Sequence, residues 1–373
     1  LCAVLLEDSA RLQTQDVKFV NKWRATRGKN LFEVLYAPED AQKILTYFSP
    51  VSYGETRELF PGIRLTFHDA GHILGSAFTV LDLVEDGKKT RLLFTGDVGR
   101  KGMPILRDPS RVSGVEVLIT ESTYGDRLHK GEGDVSRKLA ELCAEVFQKK
   151  SKLLIPAFSV GRTQQLLYFL HRLSDQKAIP PIPVYLDSPL AAKATGIHER
   201  HQECFDQESM EMLRSGDTPF TFPNLRYTAS AQESQRLNSA PGPLVVISAS
   251  GMCEGGRIQH HLAHGIANPA NVVLIVGFQA EHTLGRRIVD RDRAVRIFGE
   301  EVDLNARVEQ VEALSGHADQ AELLECIQGF GPAVRQVFVV HGEEARSEAL
   351  AKLLRKQGLE QVTVPRVGEP FPC

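Results

Sequence analysis

Four short apolar runs in this chain each end on a polar or ionisable residue. "LLFTG" is followed by Asp97, "VLIT" by Glu121, "LVVI" by Ser248 and "VFVV" by His341. Short apolar runs bounded by small or polar residues fit strands buried on both faces, and such strands belong to parallel sheets covered by helices. In open α/β sheets ligands bind beyond the carboxyl ends of the strands. The pattern therefore points to a sheet edge that collects Asp, Glu and His, the side chains a metal-assisted hydrolase needs.

A second stretch, "FHDAGHILGS" at residues 67–76, spaces His68 and His72 as a zinc-binding helix would. Gly71 and Gly75 argue against a helix, since each costs roughly 1 kcal/mol relative to Ala. The preceding "GIRLTFH" alternates apolar Ile63, Leu65 and Phe67 with polar Arg64, Thr66 and His68, the period of a half-buried strand. The segment is thus a strand entering a glycine-rich loop, with His68 on the polar face and His72 in the loop. Any metal held by His72 must find its other ligands elsewhere in the chain.

Around these landmarks the chain divides by texture. "AFTVLDLVEDGKKTRLLFTGDVG" reads as two strands joined at Asp86-Gly87, and "GVEVLITES" as a third. After a polar, glycine-bearing stretch at 123–134 come strand, loop and helix units: "KLLIPAFSVGRTQQLLYFLHRL", "PVYLDSPLAAKATGI", "GPLVVISASGMCEGGRIQHHL" and "NVVLIVGFQ". Such repetition argues for a parallel sheet flanked by helices. From about Val302 the chain returns to strands and helices that include "RQVFVVHG", "EEARSEALAKLLRKQG" and "QVTVPRV".

Composition bounds the function classes. A net charge of -3 over 373 residues gives no overall basic footprint, so nucleic-acid binding must rest on local groups. Six cysteines, with no pair spaced for a zinc knuckle or redox motif, read as reduced thiols of a cytoplasmic protein. No apolar run approaches the ~18 residues of a membrane span, so no membrane partner is expected.

Taken singly, each candidate has an ordinary reading. His72 and Asp97 suit turns, Glu121 suits a helix start, and His317 in "LSGHAD" and His341 suit hydrogen-bonded histidines. Together they are harder to dismiss, because all five lie in short loops rich in small residues.

The motifs "HDAGHILGSA", "LLFTGDVGR", "ITESTYGDR", "LSGHAD" and "VVHGE", in this order, resemble those of the β-CASP ribonucleases of the metallo-β-lactamase superfamily. That family includes bacterial ribonuclease J and the endonuclease subunit of messenger 3′-end processing. "IPAFSVGRTQQLL", "YLDSPLA" and "SASGMCEGGRIQHHL" resemble its inserted domain, so the likeness covers essentially the whole chain. It implies an α/β fold: a metallo-β-lactamase αββα sandwich lacking its N-terminal part, with an inserted β-CASP α/β domain. The expected division is 1–125 and 316–373 for the sandwich and 126–315 for the insert.

The resemblance also implies roles. His72, Asp97 and His341 correspond to metal ligands, with Asp97 shared between two zinc ions. His317 corresponds to the general acid, and Glu121 to the group that orients it. Ser315, Ser248, Ser250, Gly251, Arg257 and Arg162 are the expected substrate contacts. The glycine-rich loop at 248–257 feeds a helix whose amides suit a phosphate. Arg286, Arg287, Arg291, Arg293 and Arg296 could line a groove for an RNA backbone, although Asp290 and Asp292 dilute them. A histidine at position 341, where DNA-processing relatives carry an aliphatic residue, favours single-stranded RNA; a homodimer is also compatible.

The family's His-x-His-x-Asp-His loop is absent, since all twelve histidines stand at position 68 or beyond. Two protein ligands remain for each ion, against the three or four usual for zinc. The chain also begins at Leu1, within "LCAVLLEDSARLQ", which reads as the middle of an amphipathic helix. We therefore expect a truncated short bacterial form with weak or absent zinc binding and no activity. The other classes to weigh are a small-molecule metallo-hydrolase and an inactive RNA-binding or scaffolding relative.

Overall fold

The computed structural model describes residues 1–129 and 135–371, so the end of the polar stretch 123–134 and Cys373 lie outside the described residues. A helix at Cys2–Ala25 opens the chain, and only Ala10 of it is fully buried. Two main sheets follow.

The first has seven strands: β1 (Thr56–Phe60), β2 (Ile63–Asp69), β3 (Ala77–Glu85), β4 (Lys88–Phe94), β5 (Val117–Thr120), β14 (Gln336–Val339) and β15 (Gln361–Thr363), adjacent in that order. β1 to β4 pair antiparallel; β4, β5, β14 and β15 pair parallel. The β3–β4 turn falls at Asp86-Gly87, where both residues adopt positive φ, as the hairpin signal predicts.

The second sheet is wholly parallel. It comprises β6 (Lys152–Pro156), β7 (Val184–Leu186), β8 (Leu225–Tyr227), β9 (Leu244–Ser248), β10 (Val272–Ile275) and β13 (Arg307–Gln310), in the order β13-β10-β6-β9-β7-β8. Alternate residues of β6 feed different cores. Leu153 and Ile155 pack with Leu139, Leu142 and Leu166, whereas Leu154 packs with Ile258 and Leu262. Both faces are therefore buried, which is why these strands are uninterrupted apolar runs. A small antiparallel pair, β11 (Ala294–Ile297) and β12 (Glu300–Asp303), completes the strands.

The first sheet corrects one expectation. β2 has its period of two, but Thr66 on the polar face is buried, while Ile63, Leu65 and Phe67 are only partly covered. The register explains this: Thr66, Val80 and Leu93 lie side by side on the face that meets the helices Gln320–Gly329 and Glu344–Lys356. Phe78 of that face meets Phe330 edge to face at 5.7 Å. Burying side chains of this size contributes roughly 1.5–3 kcal/mol each. The Thr66 hydroxyl remains satisfied by Thr56, 2.8 Å away. The opposite face carries Ile63, Leu65, Leu81, Leu83 and Phe94, the last 42% exposed. A sheet apolar on both faces has the character of an inner layer, as a sandwich requires.

Candidate metal centre

Four loops meet at one edge of the first sheet. β4, β5 and β14 run parallel, and β2 shares their direction through β3, so all four carboxyl ends point the same way. These ends carry His72, Asp97, Glu121 and His341. The loop before Gln320–Gly329 brings in His317.

The loops are locked together by close backbone contact. The Gly99 N–H donates to the Ala70 carbonyl at 2.8 Å, and a Cβ at Gly99 would overlap the carbonyl group of Gly71. Gly71 itself has φ +65°, a left-handed conformation that favours glycine. These two residues let the His72 loop rest directly on the Asp97 loop. On the other side, Ser122 Oγ donates to the Val340 carbonyl at 2.8 Å, tying the ends of β5 and β14. His341 is held at φ +51°, an uncommon conformation for a residue with a side chain and one that gathers at functional sites.

Asp97 is central. Its Oδ2 lies 3.8 Å from His72 Nε2 and its Oδ1 3.2 Å from His341 Nδ1. His72 Nδ1 lies 3.0 Å from the Gly316 carbonyl, so it carries the proton and leaves Nε2 as a lone-pair donor. Burial, helped by the charge of His317, pushes the His72 pKa down against the pull of Gly316, Asp97 and Glu121. A neutral imidazole anchored through its far nitrogen is the form that binds metal. Potential donor atoms of His72, Asp97 and His317, and of Asp97, Glu121 and His341, lie within 4.8 Å of one another. The donors therefore suit zinc in kind.

Glu121 is 1% exposed and fully engaged. It accepts from the Val98 N–H at 2.6 Å and from the Thr123 N–H at 3.3 Å. Both its oxygens also lie 3.1 to 3.2 Å from His317 Nδ1. Burial alone would raise its pKa, yet the hydrogen bonds and the charge of His317 bring it below the ordinary value. For His317, burial works to lower the pKa, but the bond and charge of Glu121 outweigh it and the net shift is upward. Its ring centre lies 4.5 Å from that of His72, with the planes tilted by 47°. His68, opposite Phe78 in β2, takes no part.

The expected substrate contacts fare unevenly. Arg162 and Ser315 lie buried near His72, the latter beside Gly316. Ser248 is buried, with its hydroxyl donated to the Asp187 carbonyl at 2.7 Å. Arg257 is partly exposed, with Nη1 bound 2.6 Å from Asp187 Oδ1. Gly251 lies under the ring of Phe158, and Ser250 Oγ is buried without a partner among the described residues. Amides of Ser250, Cys253 and Ile258 are spent within the glycine-rich loop. Of the arginine strip, Arg286 is paired with Asp290 and Arg291 donates to the Val308 carbonyl, so these two do not form a free row of charge.

One residue that sequence reasoning did not single out is Asp187, which follows β7. It is fully buried and accepts from Thr228, Ser234, Arg257 and His261 at 2.6 to 2.8 Å. The signal was present, since "VYL" followed by Asp obeys the same rule as Asp97 and Glu121.

Comparisons with known proteins agree with this fold. A β-CASP domain model matches residues 163–288. A model described as a Zn-dependent metallo-hydrolase RNA specificity domain matches residues 301–365. A ribonuclease of Thermus thermophilus is 39% identical over 92% of this chain and 77% of its own. An RNase J-like protein of Methanocaldococcus jannaschii is 30% identical over 96% of this chain and 82% of its own. The transcription termination factor FttA of the same organism is 32% identical over 89% of this chain, which spans 53% of that factor's length. The chain belongs to the β-CASP family of nucleases built on the metallo-β-lactamase fold.

Proposed function

We propose that this chain carries the zinc-dependent site of a phosphodiester hydrolase acting on single-stranded RNA. The observation that carries this reading is the pairing of buried Glu121 with half-buried His317 beside the Asp97-centred donors. His72 and one oxygen of Asp97 would hold one ion, and His341 and the other oxygen a second. Zinc so placed supplies an activated water and neutralises phosphate charge.

The chain's own residues do the rest. Glu121 accepts a hydrogen bond from the Nδ1–H of His317 and favours the imidazolium, which leaves Nε2–H to protonate the departing 3′ oxygen. The single carboxylate of Asp97 spaces His72 from His341. Two protein donors for each ion make zinc binding by this chain weak. The division into 1–125, 126–315 and 316–373 belongs to the same proposal, and strand membership supports it: β6 to β13 fall inside the middle interval, the rest outside.

The test is cleavage of an end-labelled single-stranded RNA, a single-stranded DNA and a generic ester, each with zinc and with a chelator. At zinc concentrations high enough to load this weak site, chelator-sensitive cleavage of RNA alone is expected, in place of the inactivity that the absent loop implies. Ester hydrolysis in its place would favour a small-molecule hydrolase, and chelator-insensitive RNA binding without cleavage a binding or scaffolding protein. Metal analysis separately checks affinity: two tightly held zinc ions per chain would overturn the weak-binding statement.

A further inference from the structure

Between Asp16 and Glu33 the chain carries Lys18, Lys22, Arg24, Arg27 and Lys29 and no acidic residue, in a sequence whose net charge is -3. Among the described residues none of these five cations forms an ion pair. The one pair of the first helix, Arg11 with Asp8, lies nearer its N-terminus. Lys22 and Arg24 stand in the last turn and complement the negative end of the helix dipole. That accounts for two of the cations and leaves three.

Exposed aromatic rings stand among these charges: Phe19 is 78% exposed, Trp23 47% and Phe32 53%. Phe19 and Trp23, four apart, share one face of the helix. The Arg27 guanidinium lies 3.8 Å from the centre of the Trp23 ring and the Lys29 ammonium 5.2 Å, while the Arg24 guanidinium lies 4.0 Å from the centre of Phe32. The segment after the helix folds back along it. Asn21 exchanges two hydrogen bonds of 2.8 Å with the Phe32 backbone, Gln13 accepts from the Leu35 N–H at 3.0 Å, and the Tyr36 hydroxyl donates to Ser9 at 2.7 Å. These bonds fix rings beside cations at the surface. Cations interleaved with exposed rings suit a single-stranded nucleic acid, whose phosphates take the charge and whose bases stack on the rings. A membrane surface would instead want the apolar and basic groups on opposite faces.

We propose that residues 18–32 form a second RNA-binding surface, separate from the metal-centre loops, where phosphates of a single strand meet the unpaired cations and its bases stack on Phe19, Trp23 and Phe32. The choice of RNA as the polyanion rests on the RNA-hydrolase reading.

Trp23 is the only tryptophan of the chain, so its emission reports on this surface directly. Wild type, the triple variant Lys18→Gln, Lys22→Gln, Arg27→Gln, and Phe19→Ala are titrated in chelator with unlabelled oligouridylate at several salt concentrations. Circular dichroism checks that both variants keep the wild-type fold. Oligouridylate should quench Trp23 saturably in wild type. The triple variant should lower the slope of log affinity against log salt by about 2, at roughly 0.7 for each lost phosphate contact. Phe19→Ala should weaken binding about tenfold and leave the slope unchanged. A triple variant that matches wild type in quenching and slope would overturn the proposal. RNA binding seen by anisotropy of a labelled strand, with no change in Trp23 emission, would overturn the second surface and leave the hydrolase reading intact. Quenching with the expected slopes, in a chain that cleaves no RNA when loaded with zinc, would uphold the surface while overturning the hydrolase reading. A blue shift of Trp23 on phosphatidylglycerol vesicles, with no response to RNA, would assign the helix to a lipid surface and overturn the proposal.

Discussion

Glu121 grips the Nδ1 edge of His317, with its two carboxylate oxygens 3.2 and 3.1 Å from that nitrogen. In the proposed role, His317 must be protonated to act, so activity falls as pH rises through its raised pKa. Replacing His317 with Ala should lower turnover by roughly 10²–10⁴-fold and leave zinc content unchanged. Glu121→Gln removes the charge that raises this pKa, so the alkaline limb of the pH–rate profile should move to lower pH. Parallel loss of metal and activity in His317→Ala would instead place His317 among the ligands.

The two faces of Asp97 give a stoichiometric prediction. Its Oδ2 looks toward His72 and its Oδ1 toward His341. At zinc concentrations high enough to load the chain, Asp97→Ala should abolish binding at both positions. His72→Ala and His341→Ala should each leave one. Equilibrium dialysis at that zinc concentration reads this directly, and identical losses in all three variants would mean that Asp97 serves one ion.

Backbone contact between the His72 and Asp97 loops makes Gly99 a sensitive position. A methyl group there would meet the Gly71 carbonyl, which cannot rotate away as a side chain could. Gly99→Ala should cost about 1–3 kcal/mol of stability, in line with overpacking elsewhere, and separate His72 from Asp97. Chemical denaturation and zinc titration check the two effects. A variant with wild-type values in both would show that the loops need not touch.

Much of this was legible because chemistry sits where strands end. "LLFTGD", "VLITE" and "VFVVH" placed Asp97, Glu121 and His341 at one edge, since parallel strands must bring their carboxyl ends together. What the sequence hid was which partner each polar group had already taken. Nothing local shows that Ser248 spends its hydroxyl on the Asp187 carbonyl, or that Asp187 binds Arg257 from 70 positions away. The two faces of β2 were hidden for the same reason. Alternation reveals that faces differ, but which face meets helices depends on Val80 and Leu93 in neighbouring strands.

Asp187 yields the last prediction, on stability and pH. Burial opposes its ionisation, but hydrogen bonds from His261, Ser234, Arg257 and Thr228 outweigh it and hold the carboxyl well below its ordinary pKa. A group with a depressed folded pKa contributes stability above its unfolded value, about 3.9, and loses it as pH falls through the folded value. Asp187→Ala leaves Arg257 and His261 without their acceptor and should destabilise the protein by about 3–5 kcal/mol at neutral pH. Below about pH 4 the gap to wild type should narrow, because the wild-type carboxylate is then losing its own advantage. Urea melts across this range measure the difference. A gap independent of pH would assign the loss to packing instead of to the ionised carboxylate.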